Sequence, residues 1–159
     1  MFATCGCHPT RSSELGRFHG GADGYIRSLD KVITSNLKGR GRVVAVGECG
    51  LGKHIFSLIS YPQRNPIDYD RLMRADAETQ RVAFRLQLAL AKKHHLPLFL
   101  HSRAAHADFV AILREEGFGE DGGRAVGGRG GVVHSFTGTT EEIVELVSPS
   151  MSHLDQSRS

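Results

Sequence analysis

Val43-Val44-Ala45-Val46-Gly47-Glu48-Cys49-Gly50-Leu51 is an apolar run that stops at a carboxylate, with glycines on either side at 47 and 50. The run reads as a buried strand over 42–47 that delivers Glu48 at its C-terminal tip. Two later stretches repeat the design with histidine. Leu96-Pro97-Leu98-Phe99-Leu100 ends in His101-Ser102-Arg103, and Gly131-Val132-Val133 ends in His134-Ser135-Phe136. A fourth short strand, Phe2-Ala3-Thr4-Cys5, leads into Gly6-Cys7-His8-Pro9, where the proline stops regular structure.

Amphipathic helices fall between these strands. Tyr25, Ile26, Leu29, Val32, Ile33 and Leu37 recur at steps of three and four, predicting a helix over about 23–37. A second is expected from an Asp76 N-cap to about His95, with Val82, Phe84, Leu86, Leu88 and Leu90 giving it a broad apolar face. Phe109, Val110, Ile112 and Leu113 mark a third near 104–116, and Thr139 or Thr140 caps a short fourth. Residues 10–21 read as loop. Apolar strands alternating with helices argue an α/β fold with a parallel sheet. Chemistry at the C-terminal tips of neighbouring parallel strands is the arrangement of a (β/α)8 TIM barrel. A full barrel takes roughly 250 residues, and this chain of 159 residues holds about four β-α units. The expectation is therefore a partial barrel over 1–147, with 148–159 a disordered tail.

The totals exclude several classes. Net charge is +3 and the basic residues are scattered, so there is no polybasic footprint of a dedicated nucleic-acid binder. No apolar run approaches the roughly 18–20 residues that span a bilayer, and no leader of the secretory type is evident. Three cysteines, at 5, 7 and 49, are an odd number, and Cys5-x-Cys7 is too tight for the usual zinc or disulfide pairs. Free thiols in a reducing compartment, cytoplasm or nucleus, are expected.

Glu48, His101 and His134 together form a donor set suited to a divalent cation such as Mg2+, Mn2+ or Zn2+. Such an ion activates water and polarises the oxygen under attack; a bridging carboxylate can serve two ions. Each residue also has a plainer reading. Glu48 can be a turn or cap carboxylate, and either histidine a satisfied polar residue; it is the repetition at three strand tips that favours a metal site. His8 is either a substrate contact or second-layer residue, or a turn residue. Arg103 either meets an anionic group or pairs with a nearby carboxylate. His94, His95 and His106 are expected on helix surfaces, and Cys49 packed in the core behind Glu48.

Gly6-Cys7-His8-Pro9, Val43 to Leu51, Leu96 to Arg103 and Gly131 to Gly138 resemble the TatD family of metal-dependent deoxyribonucleases, most closely its eukaryotic branch. The pattern Gln80, Phe84, Gln87, Leu88, Ala91 before the second motif fits as well. The resemblance covers about 1–51 and 68–147. It implies a TIM-barrel hydrolase of DNA phosphodiesters, often a 3′→5′ exonuclease. It implies that Glu48, His101 and His134 bind divalent metal, up to two ions per site, with Glu48 the bridge. DNA is the implied substrate, with no membrane and no protein partner evident.

Three departures qualify it. The family's H-x-H pair precedes the region matched here, and its E-T-D motif lies beyond it. The first strand and the C-terminal strands are therefore expected to be missing. Third, Gly52–Ile67 separates Leu51 from Asp68, whereas the family reads G-E-C-G-L-D directly. Removing 52–67 restores that reading and brings Asp68 to the top-face loop. Gly-Lys at the start and Ile-Asp at the end can encode the GT and AG of a retained intron; a genuine loop insertion is the rival account. Uncovered barrel edges favour self-association, and activity is expected to be poor. The alternatives are a non-catalytic half-barrel, or a metalloenzyme of the amidohydrolase type cleaving amides or lactones.

Overall fold

A computed structural model describes residues 1–39, 41–52 and 75–147. The expectations for 53–67, for Asp68 and for the tail 148–159 lie outside the described residues. Strands β1 (Phe2–Cys5), β2 (Arg42–Gly52), β3 (Leu98–Arg103) and β4 (Gly131–His134) form one sheet in the order β1-β2-β3-β4. Every pairing is parallel. Helices α1 (Ser13–Arg17), α2 (Gly21–Ser35), α3 (Ala77–His94), α4 (His106–Glu115) and α5 (Thr140–Val147) intervene. This is an α/β sector of a barrel, as the alternation of apolar strands and helices predicts.

The helices cover one face. Ile33 of α2, Phe84 and Leu88 of α3, and Phe109 and Ile112 of α4 bury against Val43, Val46, Cys49 and Leu51 of β2 and Leu98 and Leu100 of β3. Phe84 and Phe109 stack with centroids 5.3 Å apart, locking α3 to α4. The inward residues of β2 fall at intervals of three, three and two. A strict strand would give two throughout. The register accounts for this: it slips where Val44 is passed over between Ala3 and Thr4 of β1, and again where Glu48 is passed over between Phe99 and Leu100 of β3. Each slip is a bulge, an extra residue that bends the strand and re-aims the side chains beyond it.

Helix ends are secured as their sequences suggest. The Asp76 carboxylate accepts from the Thr79 backbone N–H at 2.8 Å and from the Thr79 hydroxyl, an N-cap that satisfies one of the orphan amides of α3. Between helices, Asp30 of α2 takes Lys93 at 2.8 Å and His94 at 2.6 Å at the end of α3. Glu116, just beyond α4, meets Lys92 and Arg85 of α3, and Glu145 of α5 meets His106 and Arg114 of α4.

Four details depart from the sequence expectations. Residues 10–21 are not all loop: a 3-10 turn at Pro9–Arg11 runs into α1, whose only buried residue is Leu15. A five-residue helix is too short to display a period. β2 does not stop at 47 but continues to Gly52. Gly47, read as the strand end, and Gly50 instead let the strand pass close to β3. Their φ values are 139° and 144°, and a Cβ there would strike the carbonyls of Phe99 and His101. β3 likewise runs to Arg103. Finally, His94 and His106 are not surface residues. Their side chains are only 7% and 13% exposed, each enclosed by the carboxylate it meets. His95 alone of the three is exposed, in the left-handed position that ends α3.

Candidate metal centre

The second bulge of β2 builds the site. Because Glu48 is the residue passed over in pairing with β3, Gly47 sits opposite Phe99 and Cys49 opposite Leu100. Cys49 is thereby returned to the helix-covered face, fully buried as expected, and burial pushes its thiol well above the ordinary range. The Glu48 carboxylate is left half-buried on the other side, toward His101.

His101 Nδ1 lies 3.0 Å from Glu48 Oε1. A carboxylate can only accept, so His101 is the donor in this contact. His8, just past the end of β1, brings Nε2 to 3.7 Å from the same oxygen. Its ring meets that of His101 edge-on, centroids 4.5 Å apart. On the far side of the His8 ring, Nδ1 lies 2.8 Å from Thr10 Oγ1. Nδ1 also accepts from the Thr10 backbone N–H at 3.3 Å. One donor atom from each of His8, Glu48 and His101 lies within 4.8 Å of the others, the only such group among the described residues. Two imidazoles and a carboxylate at this spacing fit a borderline divalent cation.

His134 is placed differently. It pairs in register with His101 on the adjacent strand, but its exposed ring packs against Phe99 and its Nε2 lies 2.8 Å from Ser135 Oγ. The geometry thus brings His8, and not His134, to ligand distance of Glu48 and His101. Arg103 ends β3 two residues beyond His101, on the same side of the strand by alternation, half-buried.

The sequence pattern picked out Gln80 and Gln87 without a role, and they are the residues that hold the strand tips. Gln87 is almost wholly buried on α3; its side-chain carbonyl accepts from the Cys7 N–H at 2.6 Å, and its amide donates to the Cys7 carbonyl at 3.1 Å. Two helical turns earlier, Gln80 accepts from the Gly52 N–H at 3.0 Å. The available signal was two glutamines, seven apart, on the apolar face of a helix.

The family model described as TatD related DNase matches residues 1–153. A protein of Schizosaccharomyces pombe named deoxyribonuclease Tat-D is 38% identical over 141 residues, 89% of this chain and 38% of its own length. One of Pantoea vagans named 3′-5′ ssDNA/RNA exonuclease TatD is 32% identical, across 95% of this chain and 44% of its own. Among solved structures, a TatD homologue from Escherichia coli superposes with a TM-score of 0.59 at 27% identity, covering 92% of this chain and 43% of that one. The chain spans about two fifths of the length of such curated relatives. On that match and on the strand-tip motifs, the chain belongs to the TatD related DNase family.

Proposed function

We propose that this chain contributes the core of a metal-dependent phosphodiester hydrolase acting on DNA from the 3′ end. The observation that carries the reading is the convergence of His8, Glu48 and His101 donors within 4.8 Å at the tips of neighbouring parallel strands. Glu48 and His101 would hold a divalent ion, with His8 the third donor. His134, one strand over and in register with His101, would join by a side-chain rotation away from Ser135. A bound Mg2+, Mn2+ or Zn2+ supplies Lewis acidity and an activated water. Were two ions bound, Glu48 would be the carboxylate placed to hold both.

The other residues take supporting roles. Arg103 presents a guanidinium on the His101 side of β3, suited to a phosphate oxygen. Asp68, which lies outside the described residues, is proposed as a further polar group for substrate. The three free cysteines, all with thiols raised by burial, fit a reducing compartment such as cytoplasm or nucleus. No helix among the described residues is long and apolar enough to cross a membrane.

The 159 residues contain neither an H-x-H pair nor an E-T-D motif, so turnover by this chain is proposed to be slow. The test is a 5′-labelled single-stranded oligonucleotide with Mn2+. A weak ladder shortening from the 3′ end is expected, lost in EDTA and in Glu48→Gln. Cleavage that persists unchanged in that variant, or lactone hydrolysis with DNA left intact, would overturn the reading.

A further inference from the structure

Helix α3 does more than cover the sheet. Gln87, 1% exposed, closes a two-point clamp on the backbone of Cys7, the residue before His8. Its amide nitrogen also donates to the Ala83 carbonyl one turn back, so every polar position of the side chain is engaged and the rotamer has no freedom. The β1 tip is gripped from both sides. A Cβ on Gly6 would come within 2.6 Å of the Gly47 Cα and 2.7 Å of Gln87 Oε1, so the turn is wedged between β2 and α3 with room only for hydrogen. His8 has left the sheet by then, since β1 ends at Cys5. Strand hydrogen bonds therefore do not set where its ring stands; the Cys7 clamp and the turn Pro9–Arg11 do.

We propose that Gln87 is a positioning residue for the metal centre, fixing His8 as the third donor beside Glu48 and His101. The inference rests on the proposed metal centre. It adds that β1 contributes a ligand only while α3 holds its tip. Gln80 performs the parallel task at the far end of β2, through the Gly52 N–H, and supplies a matched comparison from the same helix face.

The test uses the full 159-residue chain labelled with 15N. Long-range proton–nitrogen spectra of the imidazoles, assigned by single histidine variants, are recorded as Zn2+ is added. In the unmodified chain both His8 and His101 nitrogens are expected to shift. In Gln87→Met, the same length without hydrogen bonds, His101 still shifts, His8 does not, and Zn2+ binds about tenfold more weakly. Gln80→Met keeps the His8 response. Should Gln87→Met fail to fold by circular dichroism, Gln87→Glu retains the acceptor for the Cys7 N–H and loses the donor. A smaller loss in the same direction is then expected.

An unchanged His8 response and affinity in the Gln87 variants overturns the proposal. So does equal loss of the His8 response in Gln80→Met, which would mark a general loosening of the sheet, and so does a wild-type His8 that ignores Zn2+ while His101 shifts. Silence at His101 in the unmodified chain instead overturns the metal centre itself, an outcome distinct from the others.

Discussion

His101 Nδ1 stands 3.0 Å from Glu48 Oε1 across the β2–β3 pair, so the two side chains meet directly at the tips of neighbouring strands. A cation held by both side chains would replace this contact.

Glu48→Gln is expected to leave the fold intact, because the side chain is half-buried and lies on the face opposite the helix-packed core. Mn2+ binding should fall below detection by calorimetry. Loss of the ion's several kcal/mol of transition-state stabilisation should lower any DNA cleavage by about a thousandfold. Wild-type Mn2+ affinity in the variant would remove Glu48 from the centre.

Gly50→Ala should be among the most damaging single changes in the chain. The residue has φ 144°, where L side chains are strained, and its new Cβ would meet the His101 carbonyl. A loss of about 3 kcal/mol or more is expected, read as a lowered urea midpoint. Gly39→Ala, also at positive φ (103°) but with open space around it, should cost less. Equal midpoints for the two variants would show that the contact with β3 is not what constrains Gly50.

Asp30 links α2 to the end of α3, and the hydrogen bond from Lys93, then that from His94, holds its carboxyl below the ordinary carboxylate range. A depressed folded-state value means the unfolded chain takes up the proton first as pH falls. The contribution of Asp30 is thus fully present above the normal carboxyl pKa of about 4 and is lost below it. Denaturation midpoints measured from pH 6 to pH 3 should fall less steeply in Asp30→Asn than in the unmodified chain. Parallel slopes would show that the Lys93–His94 contact contributes nothing to this pH dependence.

Cys49 should resist iodoacetamide at pH 8 in the folded chain and react on unfolding in urea. It is fully enclosed, and burial and then the Glu48 charge both raise its thiol. Mass spectrometry of the alkylated peptide checks this. Rapid labelling under native conditions would mean that the second bulge of β2 does not turn Cys49 inward.

The alternation of four strands with helices was legible because it depends on apolar period and helix boundaries, which Val43–Val46, Leu98–Leu100 and the Asp76 cap state directly. Glu48 and His101 were legible for the same reason, standing where apolar runs stop. The ring of His8 was harder to place, because its position depends on a turn and on the grip of Gln87 on Cys7, eighty residues apart in sequence. His94 and His106 were misplaced on the surface, since a histidine facing a carboxylate on another helix leaves no local trace. The length of β2 was underestimated because glycine signals a strand end more often than a close crossing, and only the tertiary contact with β3 distinguishes them.

The bulge at Glu48 also makes the identity of the pocket's donor depend on a count of one. Were the pairing to run on without the slip, Glu48 would stand opposite Leu100 on the helix-covered face and Cys49 opposite His101 on the other. A group of two imidazoles and a carboxylate would become one of two imidazoles and a thiolate, suited to softer ions such as cuprous copper. One step of pairing register thus separates an oxygen donor from a sulfur donor at this strand tip.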